Sequence, residues 1–206
     1  KSEWTTMRFD ELDVKPQIQK ALAKMGYEAL TPVQEQTLPH ILAGWDLVAL
    51  AETGSGKTAA CAVPLVQSVD PAKRTVQALI IVPTRELALQ YVTEISQIAQ
   101  YTDIESFAIY GGFSMAIQMG KLDHGVHILV ATPGRLIDML YNTSLRLADV
   151  RTLVLDEADE MLNQGFEQDV EFIFSCLVHK HQTLLFSATM PPEIKHLTQK
   201  YLDNPV

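Results

Sequence analysis

A lysine and a threonine following a glycine, where an apolar run gives way to a helix, form a combination suited to gripping phosphate. The sequence carries it at Ala51-Glu52-Thr53-Gly54-Ser55-Gly56-Lys57-Thr58. The apolar run Leu47 to Leu50 before it predicts a buried strand, and a helix is predicted after it. In that setting Gly54 and Gly56 let the backbone curl so that successive N–H groups face phosphate oxygens. The helix N-terminus adds about half a positive charge at the same place. Lys57 would reach the β- and γ-phosphates of a nucleotide, and the Thr58 hydroxyl would hold Mg²⁺. Ala51 stands where this pattern usually begins with glycine.

A second set of chemical groups, Asp156-Glu157-Ala158-Asp159, follows the apolar run Val150 to Leu155. A carboxylate at the end of a buried strand, near a phosphate loop, is where a nucleotide's Mg²⁺ is held. A neighbouring carboxylate can orient or deprotonate an attacking water. Read alone, the same acids would also suit the first turn of a helix. Lys57 and Thr58 upstream weigh towards the metal and water roles.

The elements that must position these groups alternate along the chain. Strands are predicted at Leu47 to Leu50, Val76 to Val82, Ser106 to Tyr110, His127 to Ala131, Thr152 to Leu155 and Thr183 to Phe186. Helices are predicted between most of them, with Thr31, Thr84 and Thr132 placed as caps and Pro64 inside the helix that follows the phosphate loop. Thr31-Pro32-Val33-Gln34 has the form of a capping box, so Gln34 has a purely local role open to it. This alternation predicts an α/β fold, a mostly parallel sheet with helices on both faces. Ligands in such sheets bind beyond the strand C-termini. The candidate motifs fall there, at Ala51, Pro83, Gly111, Thr132, Asp156 and Ser187.

Bulk properties narrow the partners. The 206 residues are 47% hydrophobic and 20% charged, enough for one full core. No apolar run nears the roughly 20 residues of a membrane span, so no membrane partner is expected. The net charge of −9 argues against gripping nucleic acid by bulk charge. It leaves open a local site of helix N-termini and a few arginines. Cys61 and Cys176 lie in apolar surroundings and predict two buried thiols in a reducing compartment, the cytoplasm. A start at Lys1 and an end at Val206 suggest a piece of a longer protein.

Taken together, the motifs resemble the first RecA-like domain of a bacterial-type DEAD-box RNA helicase. The resemblance rests on Gly26-Tyr27 through Gln34 and the phosphate loop, then Pro83-Thr84-Arg85-Glu86-Leu87-Ala88 and Gly111-Gly112. Thr132-Pro133-Gly134-Arg135, Asp156 to Asp159 and Ser187-Ala188-Thr189 complete it, all in family order. It departs from the family at Leu30, where proline is usual. The resemblance implies a RecA-like P-loop NTPase domain over 1–206, with a nucleotide-recognising segment at about 7–35, using ATP and Mg²⁺. It implies that Gln34 reads the adenine edge, Tyr27 stacks on the base and Phe9 packs behind. Asp156 would hold Mg²⁺ with Thr58, and Glu157 would position water. Asp159 would couple to Ser187 and Thr189, a stretch that otherwise reads as a strand end capping the next turn. Thr84, Arg85, Gly111, Gly112, Thr132, Gly134 and Arg135 would contact the RNA backbone. The competing reading for Arg85 and Arg135 is pairing with carboxylates such as Glu86 or Asp138. A second RecA-like domain, absent from these residues, would complete the ATP site. Its arginines can be worth ~10³-fold or more in related NTPases. This chain alone is therefore expected to bind ATP or ADP and hydrolyse almost none.

Overall fold

Each predicted apolar run becomes a strand of one sheet. The computed structural model describes residues 7–206, so residues 1–6 of the expected domain lie outside the described residues. The strands are β1 (Leu47–Leu50), β2 (Ala78–Ile81), β3 (Ser106–Ile109), β4 (Ile128–Ala131), β5 (Thr152–Leu155) and β6 (Gln182–Ser187). They lie in the order β1-β6-β5-β2-β4-β3, and each of these pairings is parallel. Parallel neighbours need crossovers, which the helices provide.

Strand side chains point alternately to two cores. In β2, Ala78 and Ile80 enter one and Leu79 and Ile81 the other. The first core is closed by α1 (Pro16–Lys24), α2 (Pro32–Leu42), α3 (Lys57–Ser68) and α4 (Arg85–Ile98). The second is closed by α5 (Met115–Asp123), α6 (Pro133–Asn142), α7 (Ala158–Asn163), α8 (Glu167–Cys176) and α9 (Pro192–Tyr201). Helix α3 runs through Pro64 to Ser68. Helix α5 has no counterpart in the sequence reading, whereas α7, with Asp159 and Glu160 in its first turn, is the helix start that the acids also suited. Helix α5 buries only Gln118 and Leu122, and α7 has 6 residues, too short to show a period. Cys61 is buried as expected, whereas Cys176 is half-buried near the end of α8; both thiols are free.

Strand order sorts the motifs. Along the C-terminal edge the sequence of loops is Ala51, Ser187, Asp156, Pro83, Thr132 and Gly111. Neighbouring strands are roughly 4.8 Å apart. The phosphate loop, the acids and Ser187 therefore share one half of the edge, and Thr84, Thr132 and Gly111 share the other.

The departure at Leu30 has a backbone reason. Leu30 N–H donates to Met7 O at 2.9 Å, and Phe9 N–H donates to Glu28 O at 2.8 Å. This short antiparallel bridge carries Phe9 into the core, where it is 1% exposed. Proline at position 30 could not donate. Leu30→Pro is expected to destabilise the chain by about 1–3 kcal/mol through the lost hydrogen bond and the smaller buried side chain. A lower urea midpoint at unchanged slope would show it.

Candidate functional site

The phosphate loop takes its shape from two glycines with positive φ, Gly54 at 84° and Gly56 at 90°. Ser55 Oγ–H donates to Glu52 O at 2.7 Å and closes the turn. Gly56 has a further constraint: a Cβ there would meet Gln34 Nε2 at 2.6 Å and Thr31 Oγ1 at 2.8 Å. Those two side chains pin the loop. Thr31 Oγ1–H donates to Ser55 O at 2.9 Å, and Gln34 Nε2–H donates to Gly56 O at 3.0 Å. Gln34 also forms the capping box, accepting from Thr31 N–H at 2.9 Å. The local role is thus present, and one of the two Gln34 amide N–H groups is used on Gly56 O.

Lys57 begins α3 and is 5% exposed. Its Nζ lies 2.9 Å from Oδ1 of Asp156, which is wholly buried at the end of β5. Asp156 also accepts from Glu157 N–H at 2.7 Å and from the Tyr91 hydroxyl at 2.6 Å. Burying a charged pair is costly unless its remaining hydrogen bonds are met, and those of Asp156 are met by Glu157 and Tyr91.

Glu157 adopts a left-handed backbone, φ 52° and ψ 48°, unusual for a residue with a side chain. Its carboxylate accepts from Thr53 Oγ1 at 3.5 Å. Burial pushes its carboxyl above the usual range; Lys57 opposes that shift and Asp156 adds to it. Asp159 shows the reverse balance. Burial pushes it up, but hydrogen bonds with Thr189 and Ser187 hold it below the usual range. Thr189 donates to Asp159 Oδ2 from Oγ1 at 2.8 Å and from N at 3.1 Å. Ser187 Oγ accepts from Asp159 N–H at 3.3 Å.

A cleft of about 450 Å³ opens above the loop, lined by Tyr27, Gln34, Thr53, Gly54, Gly56, Lys57, Thr58 and Glu157. Thr31, Leu87, Gln90 and Glu94 also line it, and none of these was singled out for chemistry in the sequence. Phe9 lies behind Tyr27, their rings stacked with centroids 5.0 Å apart. The Tyr27 hydroxyl donates to Glu94; burial and that carboxylate raise its pKa far above the usual value. An adjoining cavity of about 350 Å³ shares Thr53, Lys57 and Glu157 and adds Ala51, Thr84 and Asp159. Glu52 and Ser55 line neither; they shape the loop from outside. A larger cleft of about 720 Å³ lies by Trp45 and His181 and gathers none of the motif residues.

The other half of the edge is ordered by Arg135. Its Nη1 donates to Phe113 O and to Gln118 Oε1, each at 2.8 Å, bracing the loop that holds Gly111 and Gly112. Its Nε is buried without a partner among the described residues. Arg85 lies over the rings of Tyr110 and Phe113, 5.1 and 5.2 Å from their centroids. Among the described residues neither arginine pairs with a carboxylate, which overturns the competing reading with Glu86 and Asp138. Thr84 caps α4 by accepting from Leu87 N–H at 3.2 Å, whereas the Thr132 hydroxyl makes no cap bond on α6. Gly134 sits in the first turn of α6, where a Cβ would meet nothing within 4 Å.

Comparison with known proteins gives this arrangement a context. Residues 31–197 match the family model of the DEAD/DEAH box helicase. The DEAD-box ATP-dependent RNA helicase CshA of Bacillus licheniformis is 46% identical over 97% of this chain and 41% of its own length. That of Bacillus subtilis is 44% identical over 97% of this chain and 40% of its own length. The crystal structure of a DEAD box protein from Methanococcus jannaschii superposes with a TM-score of 0.93 at 40% identity, covering 97% of this chain and 55% of that one. The chain thus spans about 41% or less of the length of these curated relatives.

Two outcomes follow from the geometry. Gly56→Ala forces a side chain into Thr31 and Gln34 at a positive φ, and should cost at least about 1 kcal/mol in urea unfolding. The folded chain keeps the Glu157 proton to a higher pH than the unfolded chain does. Its contribution to stability therefore falls as pH rises from the ordinary glutamate range towards the raised value. Urea midpoints at about pH 4 and about pH 7 should show Glu157→Gln gaining on the wild type at the higher pH.

Proposed function

The chain belongs to the DEAD/DEAH box helicase family, and from that premise we propose that residues 1–206 form the ATP-binding RecA-like domain of an RNA-dependent ATPase. The full protein would use ATP to separate or remodel RNA duplexes. One observation carries this reading: Lys57 Nζ and the buried Asp156 carboxylate meet at 2.9 Å, beside the cleft that Tyr27 and Gln34 also line. A triphosphate in that cleft draws Lys57 onto its β- and γ-oxygens while the loop amides from Gly54 to Thr58 surround the β-phosphate. Gln34 offers its free amide N–H to adenine, and Tyr27, backed by Phe9, offers a ring face.

Thr58 and Asp156 are hard oxygen donors of the kind Mg²⁺ takes. Among the described residues no three His, Cys, Asp or Glu side chains form a metal cluster, so phosphate oxygens and water would complete the shell. Bound there, Mg²⁺ would supply charge neutralisation of the phosphates. Glu157 orients the attacking water and takes its proton, a task its raised pKa suits. Asp159, held by Ser187 and Thr189, links that acid to the neighbouring strand end.

RNA runs along the ends of β2, β4 and β3. Thr84, Arg85, Gly111, Gly112, Thr132, Gly134 and Arg135 meet its sugar-phosphate backbone without reading sequence, and 2′-hydroxyls favour RNA over DNA. A second RecA-like domain is the partner that closes this edge; the chain's short span of its relatives supports it. Two free thiols support a cytoplasmic protein, and no helix among the described residues is long and apolar enough to cross a membrane.

In the full protein, Glu157→Gln should keep ATP binding and lose RNA-stimulated hydrolysis, and Lys57→Ala should lose both. The 206-residue chain alone should bind ADP or ATP and turn over almost none. Brisk RNA-stimulated turnover by this chain, or wild-type turnover in full-length Glu157→Gln, would overturn the assignment.

A further inference from the structure

Asp156 has two oxygens, and they are held in different ways. Oδ1 faces Lys57 and the Glu157 amide, at 2.9 and 2.7 Å, on the side of the cleft. Oδ2 faces inward and accepts from the Tyr91 hydroxyl at 2.6 Å. Tyr91 is on the buried stripe of α4 and is 0% exposed. The nearest alternative partner for its hydroxyl, Cys61 Sγ, is 3.9 Å away, and the phenol's single proton goes to the much closer carboxylate.

The terminal torsion of an aspartate is broad and roughly two-fold, so a carboxylate with one free oxygen can turn. Anchoring Oδ2 removes that freedom and keeps Oδ1 aimed at the cleft. This matters most once Lys57 leaves for phosphate, because Asp156 then loses its charged partner. We infer that Tyr91 is a positioning residue for the metal site, its buried hydroxyl fixing the Asp156 carboxylate so that Oδ1 is presented to the cation that accompanies the nucleotide. The inference rests on the reading of Asp156 as a metal ligand. Groups that hydrogen-bond a ligating carboxylate or imidazole typically change metal affinity by about 10–100-fold when removed. A purely structural bond tying α4 to β5 would lower thermal stability and leave cation affinity alone.

The test titrates Mg²⁺ into the chain in the presence of ADP and follows nucleotide binding by calorimetry, for the wild type, Tyr91→Phe and Asp156→Asn. Tyr91→Phe is expected to raise the half-saturating Mg²⁺ concentration about tenfold, and Asp156→Asn at least as much. A wild-type midpoint in Tyr91→Phe with a shifted one in Asp156→Asn overturns the role of Tyr91 alone. A wild-type midpoint in Asp156→Asn overturns the metal-ligand reading and the inference with it. Should Tyr91→Phe fail to fold, the wild type labelled with ¹³C at tyrosine Cζ decides. The Tyr91 resonance should move when Mg²⁺ is added to the ADP complex, and an unmoved resonance refutes the inference.

Discussion

The buried pair between Lys57 and Asp156 is the contact on which the site depends. Two opposite charges taken out of water are stable together only when each has its remaining hydrogen-bonding needs met. Asp156 meets them with the Glu157 amide and the Tyr91 hydroxyl, groups from different parts of the fold. Helix α3 is therefore tied to the end of β5, and through Tyr91 both are tied to α4. Removing either charge would strand the other in a site nearly closed to solvent. The proposed arrival of a triphosphate is the exception, because it substitutes one anion for another before Lys57.

Sheet order then decides what lies beside that pair. β6 separates β1 from β5, so Ser187 emerges between the phosphate loop and the acids. Ala51 N–H donates to Ser187 O at 3.1 Å, and Asp159 N–H donates to Ser187 Oγ on the other side. One residue, Ser187, thus bridges the phosphate loop and Asp159. On the far side, Thr84 at the end of β2 lines the same cavity as Lys57 and Glu157. The proposed nucleotide and RNA surfaces are thus two stretches of one edge with a shared boundary.

What could be read from the sequence was local, and what could not was relational. Gly54, Gly56, Lys57 and Thr58 are adjacent in the chain, and their spacing alone specifies a turn and a helix start. The strands were legible because burial on both faces leaves continuous apolar runs. Their order was not, because a crossover helix can carry the chain past one neighbour or two. The Tyr91–Asp156 bond spans 65 positions, and an aromatic residue on an apolar helix stripe reads as core. Arg135 braces a backbone carbonyl at Phe113, and a carbonyl leaves no trace in residue types. The buried stripe of α4 is Ala88, Tyr91, Ile95 and Ile98, with Leu87 and Val92 half-buried beside it.

The fastening of α2 to the phosphate loop has its own consequence. Thr31 and Gln34 hold the carbonyls of Ser55 and Gly56 while the same two side chains start a helix. The groups proposed to face the base and those proposed to face the phosphates are joined directly by these hydrogen bonds. A base that pulls Gln34 out of place must also loosen the loop beneath the phosphates. Under the proposed reading, selectivity for the ring would then be expressed at the far end of the nucleotide, as a poorer hold on its tail, without the base edge having to supply all of the discrimination itself.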